Sequence, residues 1–146
     1  MDLNATLNEI LVKLFRNITT IEEQTMKTGI YKDVTMNDMH VIEAIGPIAT
    51  KNMTTVAKEL SVTTGTLTIS VNGLVKKGYV ERIRSEEDRR VVFISLTEKG
   101  QKAYEHHKNF HEAMIAAIVA RLNDQEQEVL QKALDDLLTF FYSYQK

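Results

Sequence analysis

Residues 53–97, MTTVAKELSVTTGTLTISVNGLVKKGYVERIRSEEDRRVVFISLT, constrain this chain more than any other stretch, because the spacing of their apolar residues changes part-way along. Val56, Ala57 and Leu60, then Leu67, Val71, Leu74 and Val75, fall at helical spacing, which predicts two short helices that each bury one stripe against the other. Ser61-Val62-Thr63 leaves room only for a tight turn, and Thr63 or Thr64 offers a hydroxyl to cap the second helix. Ala57 faces the crossing, where a larger side chain would hold the helices apart. Gly78, behind Lys76 and Lys77, sits where a helix-ending glycine and its cations belong. Residues 79–84 then alternate, and 91–96 return as a β-branched run after the polar loop 85–90, so a hairpin follows. Two helices and a ribbon in this order predict a winged helix-turn-helix: a mainly α fold with a small β-wing.

The second helix leaves Thr64, Thr66, Thr68, Ile69 and Asn72 on or beside its free face. Short hydroxyl and amide side chains suit base edges and phosphates. Threonine is a mediocre helix former, and an unconstrained surface would more often carry Glu, Lys or Ala. Arg82 and Arg84 share one face of the first strand, and Arg89 and Arg90 open its partner. Arginines beside such a helix reach an adjacent minor groove, where the potential is most negative. The expected DNA contacts are therefore Thr64, Thr66, Thr68, Asn72, Arg82, Arg84, Arg89 and Arg90. The plainer alternatives are a solvated face and a salt-bridged hairpin tip.

A net charge of −2 fits such a role only when divided by region. Residues 51–102 hold ten Lys or Arg against six Asp or Glu, a net of +4, and the remainder holds eight against fourteen, a net of −6. With 146 residues the chain is expected to form a single domain, 1–146, with a reading module at about 35–97. There is no cysteine, hence no disulfide, thiolate metal site or cysteine nucleophile. No Gly-rich phosphate loop or zinc-protease motif occurs, and Ser70 and Ser95 lack an evident His or Asp arrangement, so an enzyme is not expected. No basic region precedes the first apolar residues and no apolar run approaches membrane-spanning length, which predicts a cytoplasmic protein.

Outside the module, Leu3, Leu7, Ile10, Leu11, Leu14, Phe15, Ile18 and Ile21 predict one long helix over 3–27. Thr35-Met36-Asn37-Asp38 resembles a capping box for a helix that stops at Gly46-Pro47, and 50–53 reads as a short third strand. Thr97 caps a second long helix, and Asn123-Asp124-Gln125-Glu126 opens a last one carrying Val129, Leu130, Leu134, Leu137, Leu138 and Phe141. Helices over 3–27 and 98–144 have broader apolar faces than the small module can bury. A homodimer built on them is expected, with two reading helices about one DNA turn, roughly 34 Å, apart on a palindromic site.

Asp88-Arg89-Arg90 followed by Val91-Val92-Phe93-Ile94-Ser95-Leu96-Thr97-Glu98-Lys99-Gly100 resembles the D-x-R wing and L-T-x-x-G signature of the MarR family of bacterial transcription regulators, and the similarity runs over nearly the whole chain. The resemblance implies that Arg90 enters the minor groove and that Asp88 braces the wing through an arginine, Arg84 by analogy, with Arg82 and Arg89 left open. Residues 39–46 and 107–114, supported by 21–23 and 84–90, resemble the fatty-acid-synthesis repressors of that family in Gram-positive bacteria. That likeness implies a co-repressor, a long-chain acyl group on acyl carrier protein, and no resident cofactor. Leu14, Phe15, Ile18, Ile21, Phe110, Met114 and Ile118 are the candidates to line an apolar tunnel for the chain, and ordinary core is the competing reading. Lys102, His106 and Lys108 are the candidates to meet the acidic carrier protein. A zinc-responsive alternative uses His107 and His111, four apart on one face, with His40 and Glu22, Glu23 or Glu43. A small aromatic effector is a further alternative.

Overall fold

The computed structural model describes residues 1–27 and 29–145, which fall into two compact units, Met1–Glu105 and His106–Lys146. The first unit opens with α1 (Leu3–Asn8), capped by Asp2, whose carboxylate accepts the Ala5 N–H at 2.8 Å. A π-helical segment, Glu9–Leu14, leads into α2 (Phe15–Lys27). The expected helix over 3–27 is therefore present, but it widens in its middle, where the Phe15 N–H reaches back to the Ile10 carbonyl. Apolar spacing carries no signal for that extra residue per turn.

Helix α3 (Met36–Ile45) begins with the expected capping box: Thr35 Oγ1 accepts the Asp38 N–H at 3.0 Å, and Asp38 accepts the Thr35 N–H at 3.1 Å. Strand β1 (Lys51–Asn52) is the short third strand, and the Asn52 side chain then caps α4 (Met53–Glu59) by accepting from Thr55 N–H. The tight turn closes as a Schellman motif, with Val62 N–H on the Ala57 carbonyl and Ser61 N–H on the Lys58 carbonyl. Ser61 takes the left-handed position at φ 55°. Of the two candidate caps for α5 (Thr64–Lys77), the structure uses Thr63, whose hydroxyl oxygen accepts the Thr66 N–H at 3.1 Å. Gly78, at φ 86°, ends α5 as its position demands.

Strands β2 (Val80–Arg84) and β3 (Val92–Leu96) pair antiparallel with Val80 opposite Leu96 and Arg84 opposite Val92; β1 pairs with the far edge of β3, giving the order β1-β3-β2. The core of this unit draws Met39, Ile42 and Ile45 from α3, Val56 and Ala57 from α4, Leu67, Val71 and Leu74 from α5, and Tyr79, Val80, Ile94 and Leu96 from the sheet region. Ala57 is buried where the helices meet, so its small size is used as expected.

Helix α6 (Glu98–Val119) contains the boundary between units. Its start is fixed to the wing: Thr97 N–H donates to the Tyr79 carbonyl at 3.0 Å, and Thr97 Oγ1 donates to the Gly78 carbonyl at 2.5 Å while accepting Gly100 N–H at 3.1 Å. Helix α7 (Asp124–Tyr142) opens with the Asn123–Glu126 capping box. It buries none of its described residues; Val129, Leu134 and Leu138 are among those exposed. Among the described residues no helix is long and apolar enough to cross a membrane.

Candidate nucleic-acid interface

On or beside the face of α5 away from its buried stripe stand the expected polar residues: Thr64, Thr66 and Asn72 are exposed and Thr68 is half-buried. Several of these groups already have work inside the module. The Thr68 hydroxyl donates to the Thr64 carbonyl at 2.7 Å, and the Thr63 hydroxyl donates to that of Thr66 at 2.9 Å. The Asn72 carbonyl oxygen accepts from the Arg82 guanidinium, which ties the reading helix to the first wing strand. Asn37 Nδ2 donates to Ser70 Oγ at 3.0 Å, joining α3 to the same helix.

The wing differs from expectation in one respect. Asp88 pairs with Arg90, not with Arg84: Arg90 Nε donates to Oδ1 and its terminal nitrogen to Oδ2, each at 3.1 Å, and the Arg90 N–H donates to Oδ1 at 3.0 Å. The turn carries residue 90 back over residue 88, so a partner two positions on is nearer than one on the opposite strand. The Arg90 side chain stays 91% exposed, so the pair aims the guanidinium without hiding it. The hydrogen bonds from Arg90, its side chain's first and its backbone's second, hold the Asp88 carboxyl below its ordinary titration range. Arg84 and Arg89 line a shallow concavity with Ser85 and Glu86 at the side of the wing.

Behind the interface lies a polar cluster that periodicity does not signal. The Tyr79 hydroxyl donates to Asp33 Oδ1 at 2.6 Å, Lys99 lies 4.3 Å above the Tyr79 ring, and Lys99 Nζ donates to the Lys77 carbonyl at 2.9 Å. Lys77 itself pairs with Asp38 at 2.8 Å, linking the end of α5 to the start of α3. Burial, then the Asp33 hydrogen bond and charge, push the Tyr79 phenol well above the ordinary tyrosine range. A folded-state value raised above the unfolded one gives stability that is complete below about pH 10 and lost as pH rises beyond it. The Tyr79 Cζ resonance is therefore expected to hold its neutral-phenol shift past pH 10. A midpoint near 10 in the folded protein would contradict this environment.

The remaining candidates lie in both units. In the first, Leu14, Phe15 and Ile21 are exposed and Ile18 is half-buried; in the second, Phe110 and Met114 are half-buried and Ile118 is exposed. Lys102 pairs with Glu98 at 3.5 Å and Lys108 with Glu112 at 3.9 Å, exposed pairs one helical turn apart that contribute little stability, and His106 is exposed. His107 and His111 stand one turn apart on α6 with ring centroids 4.4 Å apart; His40 is exposed on α3.

Comparison with known proteins bears on this geometry. A family model described as the transcriptional regulator SarA/Rot matches residues 25–107. The chain is 40% identical to Streptococcus pneumoniae FabT, crystallised in complex with DNA, with a TM-score of 0.88 over 97% of this chain and 99% of that one. It is 34% identical over 84 residues to the HTH-type transcriptional repressor YetL of Bacillus subtilis (strain 168), 58% of this chain and 50% of YetL. The apo form of E. coli MarR shares the fold, at 24% identity and a TM-score of 0.68 over 94% of this chain and 97% of that one.

Proposed function

We propose, from the premise that this chain belongs to the MarR and SarA/Rot family of winged-helix transcriptional regulators, that it represses fatty-acid synthesis genes by binding palindromic operators as a homodimer, with long-chain acyl carrier protein as co-repressor. The observation that carries the reading is the likeness over nearly the full length to FabT, a protein crystallised on DNA. The local geometry supports it: α5 offers a free face, and the wing offers an arginine that is oriented by Asp88 yet exposed. The similarity of residues 39–46 and 107–114 to the fatty-acid-synthesis repressors supports the choice of genes and co-repressor.

The dimer reading rests on α7 and the first helix. Val129, Leu130, Leu134, Leu138 and Phe141 expose a continuous apolar side of α7, and Leu3, Ile10 and Leu14 do the same on the first helix. Faces of this kind are stable in water when a second copy covers them. For the co-repressor, the candidate contacts are Leu14, Phe15, Ile18 and Ile21 in the first unit and Phe110, Met114 and Ile118 in the second, with Lys102, His106 and Lys108 toward the carrier protein. Coupling requires that the acyl chain favour one spacing of the two reading helices over another.

Binding to a fatty-acid-synthesis promoter fragment at one fixed salt concentration tests the reading, because phosphate contacts make affinity steeply salt-dependent. Long-chain acyl carrier protein is expected to tighten binding about tenfold, within the usual range of allosteric coupling, and the unacylated carrier to leave it unchanged. Equal affinities in all three conditions would remove the co-repressor assignment. The His107–His111 pair motivates a zinc arm of the same experiment; a response to zinc alone would favour a metal-responsive regulator.

A further inference from the structure

Ile69 lies in the middle of α5 and is 75% exposed. It stands two residues from both Leu67 and Val71, which are almost fully buried, so it projects about 200° round the helix from each, diametrically away from the core. A β-branched side chain there lowers helix propensity and leaves apolar surface in water, so neither folding nor solubility accounts for it. Its neighbours on the outer stripe are Gly65, Asn72 and Lys76. A Cβ built on Gly65 would meet only the Thr63 hydroxyl, at 3.9 Å, so packing within the chain does not require glycine. The bare backbone one turn before Ile69 instead permits a close approach of the helix to whatever Ile69 touches. The polar groups nearby are partly committed: the Thr68 hydroxyl to its own helix, the Asn72 carbonyl oxygen to Arg82. An isolated apolar knob rimmed by Thr, Asn and Lys is too small and too polar at its edge for a protein-binding patch.

In the major groove one base feature is apolar, the C5-methyl of thymine. We propose that Ile69 packs on a thymine methyl in each half-site of the operator and so determines sequence preference at that position. The proposal rests on the DNA-reading assignment above. Covering one methyl-sized group contributes about fourfold in affinity, and about fifteenfold when both half-sites of a dimer gain it.

The test replaces each operator thymine in turn, symmetrically in both half-sites, by deoxyuridine, which removes the methyl and leaves the base-pairing edge intact. At fixed salt the unaltered protein is expected to lose about fifteenfold in affinity at one thymine position and little elsewhere. Ile69→Ala, an exposed change that leaves the core untouched, is expected to bind the thymine operator more weakly and to show no further loss with deoxyuridine at that position. Ile69→Val is expected to keep an intermediate penalty. Tight binding with no deoxyuridine-sensitive position, or an undiminished penalty in Ile69→Ala, would overturn the proposal while leaving the repressor reading intact. Failure of the unaltered protein to bind the operator at all would overturn both.

Discussion

Gly100→Ala is expected to destabilise the protein by about 3 kcal/mol or more, the upper end of overpacking costs, and to lower the melting temperature by about 10 °C at constant protein concentration. A Cβ at this position would fall on the Tyr79 carbonyl oxygen, far inside van der Waals contact, with the Tyr79 carbonyl carbon at 3.1 Å and Leu96 Cβ at 3.2 Å. The obstruction is backbone, and the carbonyl has little freedom to move because it accepts the Thr97 N–H at 3.0 Å. Relief requires the start of α6 to lift from the wing, which would break the Thr97 bonds to Tyr79 and Gly78 together. Gly73 supplies the control. A Cβ there meets nothing within 4 Å, so Gly73→Ala is expected to be neutral or to stabilise by up to about 1 kcal/mol through helix propensity. Thermal melts of the two variants side by side distinguish a packing requirement from a general cost of changing glycine. Equal stabilities would refute the close approach.

Arg90→Ala is expected to weaken operator binding about 100- to 10,000-fold, from a loss of about 10- to 100-fold for one charge-assisted contact in each of the two half-sites, and to reduce the slope of log affinity on log salt by about two, one for each half-site. The guanidinium is held by two side-chain bonds to Asp88 and still 91% exposed, so it is presented to solvent in a fixed direction. Arg90→Lys keeps the charge but not the planar fork, and should fall between the two. Asp88→Asn should cost less than Arg90→Ala, because it loosens the arginine without deleting it. The pairing also sets a pH window. A carboxylate held below its unfolded range keeps its partner throughout neutral pH, and the order is lost only as pH falls through the lowered folded value, below about 4. Affinity should therefore show no step from this group between about pH 5 and 8. Fluorescence anisotropy with a labelled promoter fragment at several salt concentrations measures both quantities, and an unchanged salt slope in Arg90→Ala would place this residue away from phosphates.

Which features could be read from sequence follows from how local their causes are. The apolar stripes of α4 and α5, the αL glycine at 78, the two wing strands and both capping boxes each depend on residues within a few positions, and all are present in the structure, although the first wing strand buries only Val80 and leaves Ile83 exposed. Other features depend on turn conformation or on packing between distant segments. Asp88 finds Arg90 because the loop folds back on itself, whereas the resemblance pointed to Arg84, with Arg82 and Arg89 as the alternatives. Tyr79 reads as the first residue of a strand, yet it is fully buried and gathers Asp33, Lys99 and the Thr97 amide around it. Gly100 was visible as part of a signature, but the reason for it, a carbonyl twenty-one positions earlier, is tertiary. The left-handed Ser61 and the π-helical Glu9–Leu14 have no local composition cue. For the interface, the residue types on α5 were legible; that several of their polar groups are engaged within the module, while the apolar Ile69 stands exposed beside them, was not.

The central claim is that α5 and the Arg90 wing of two copies read one palindromic operator. A footprint of the purified protein on a fatty-acid-synthesis promoter fragment, probing major-groove guanines and minor-groove sugars in parallel, tests it most directly. The account predicts two major-groove protections about one helical turn, roughly 34 Å, apart, each flanked by a minor-groove protection that disappears in Arg90→Ala. A single unpaired protection, or minor-groove protection that survives the loss of Arg90, would contradict it.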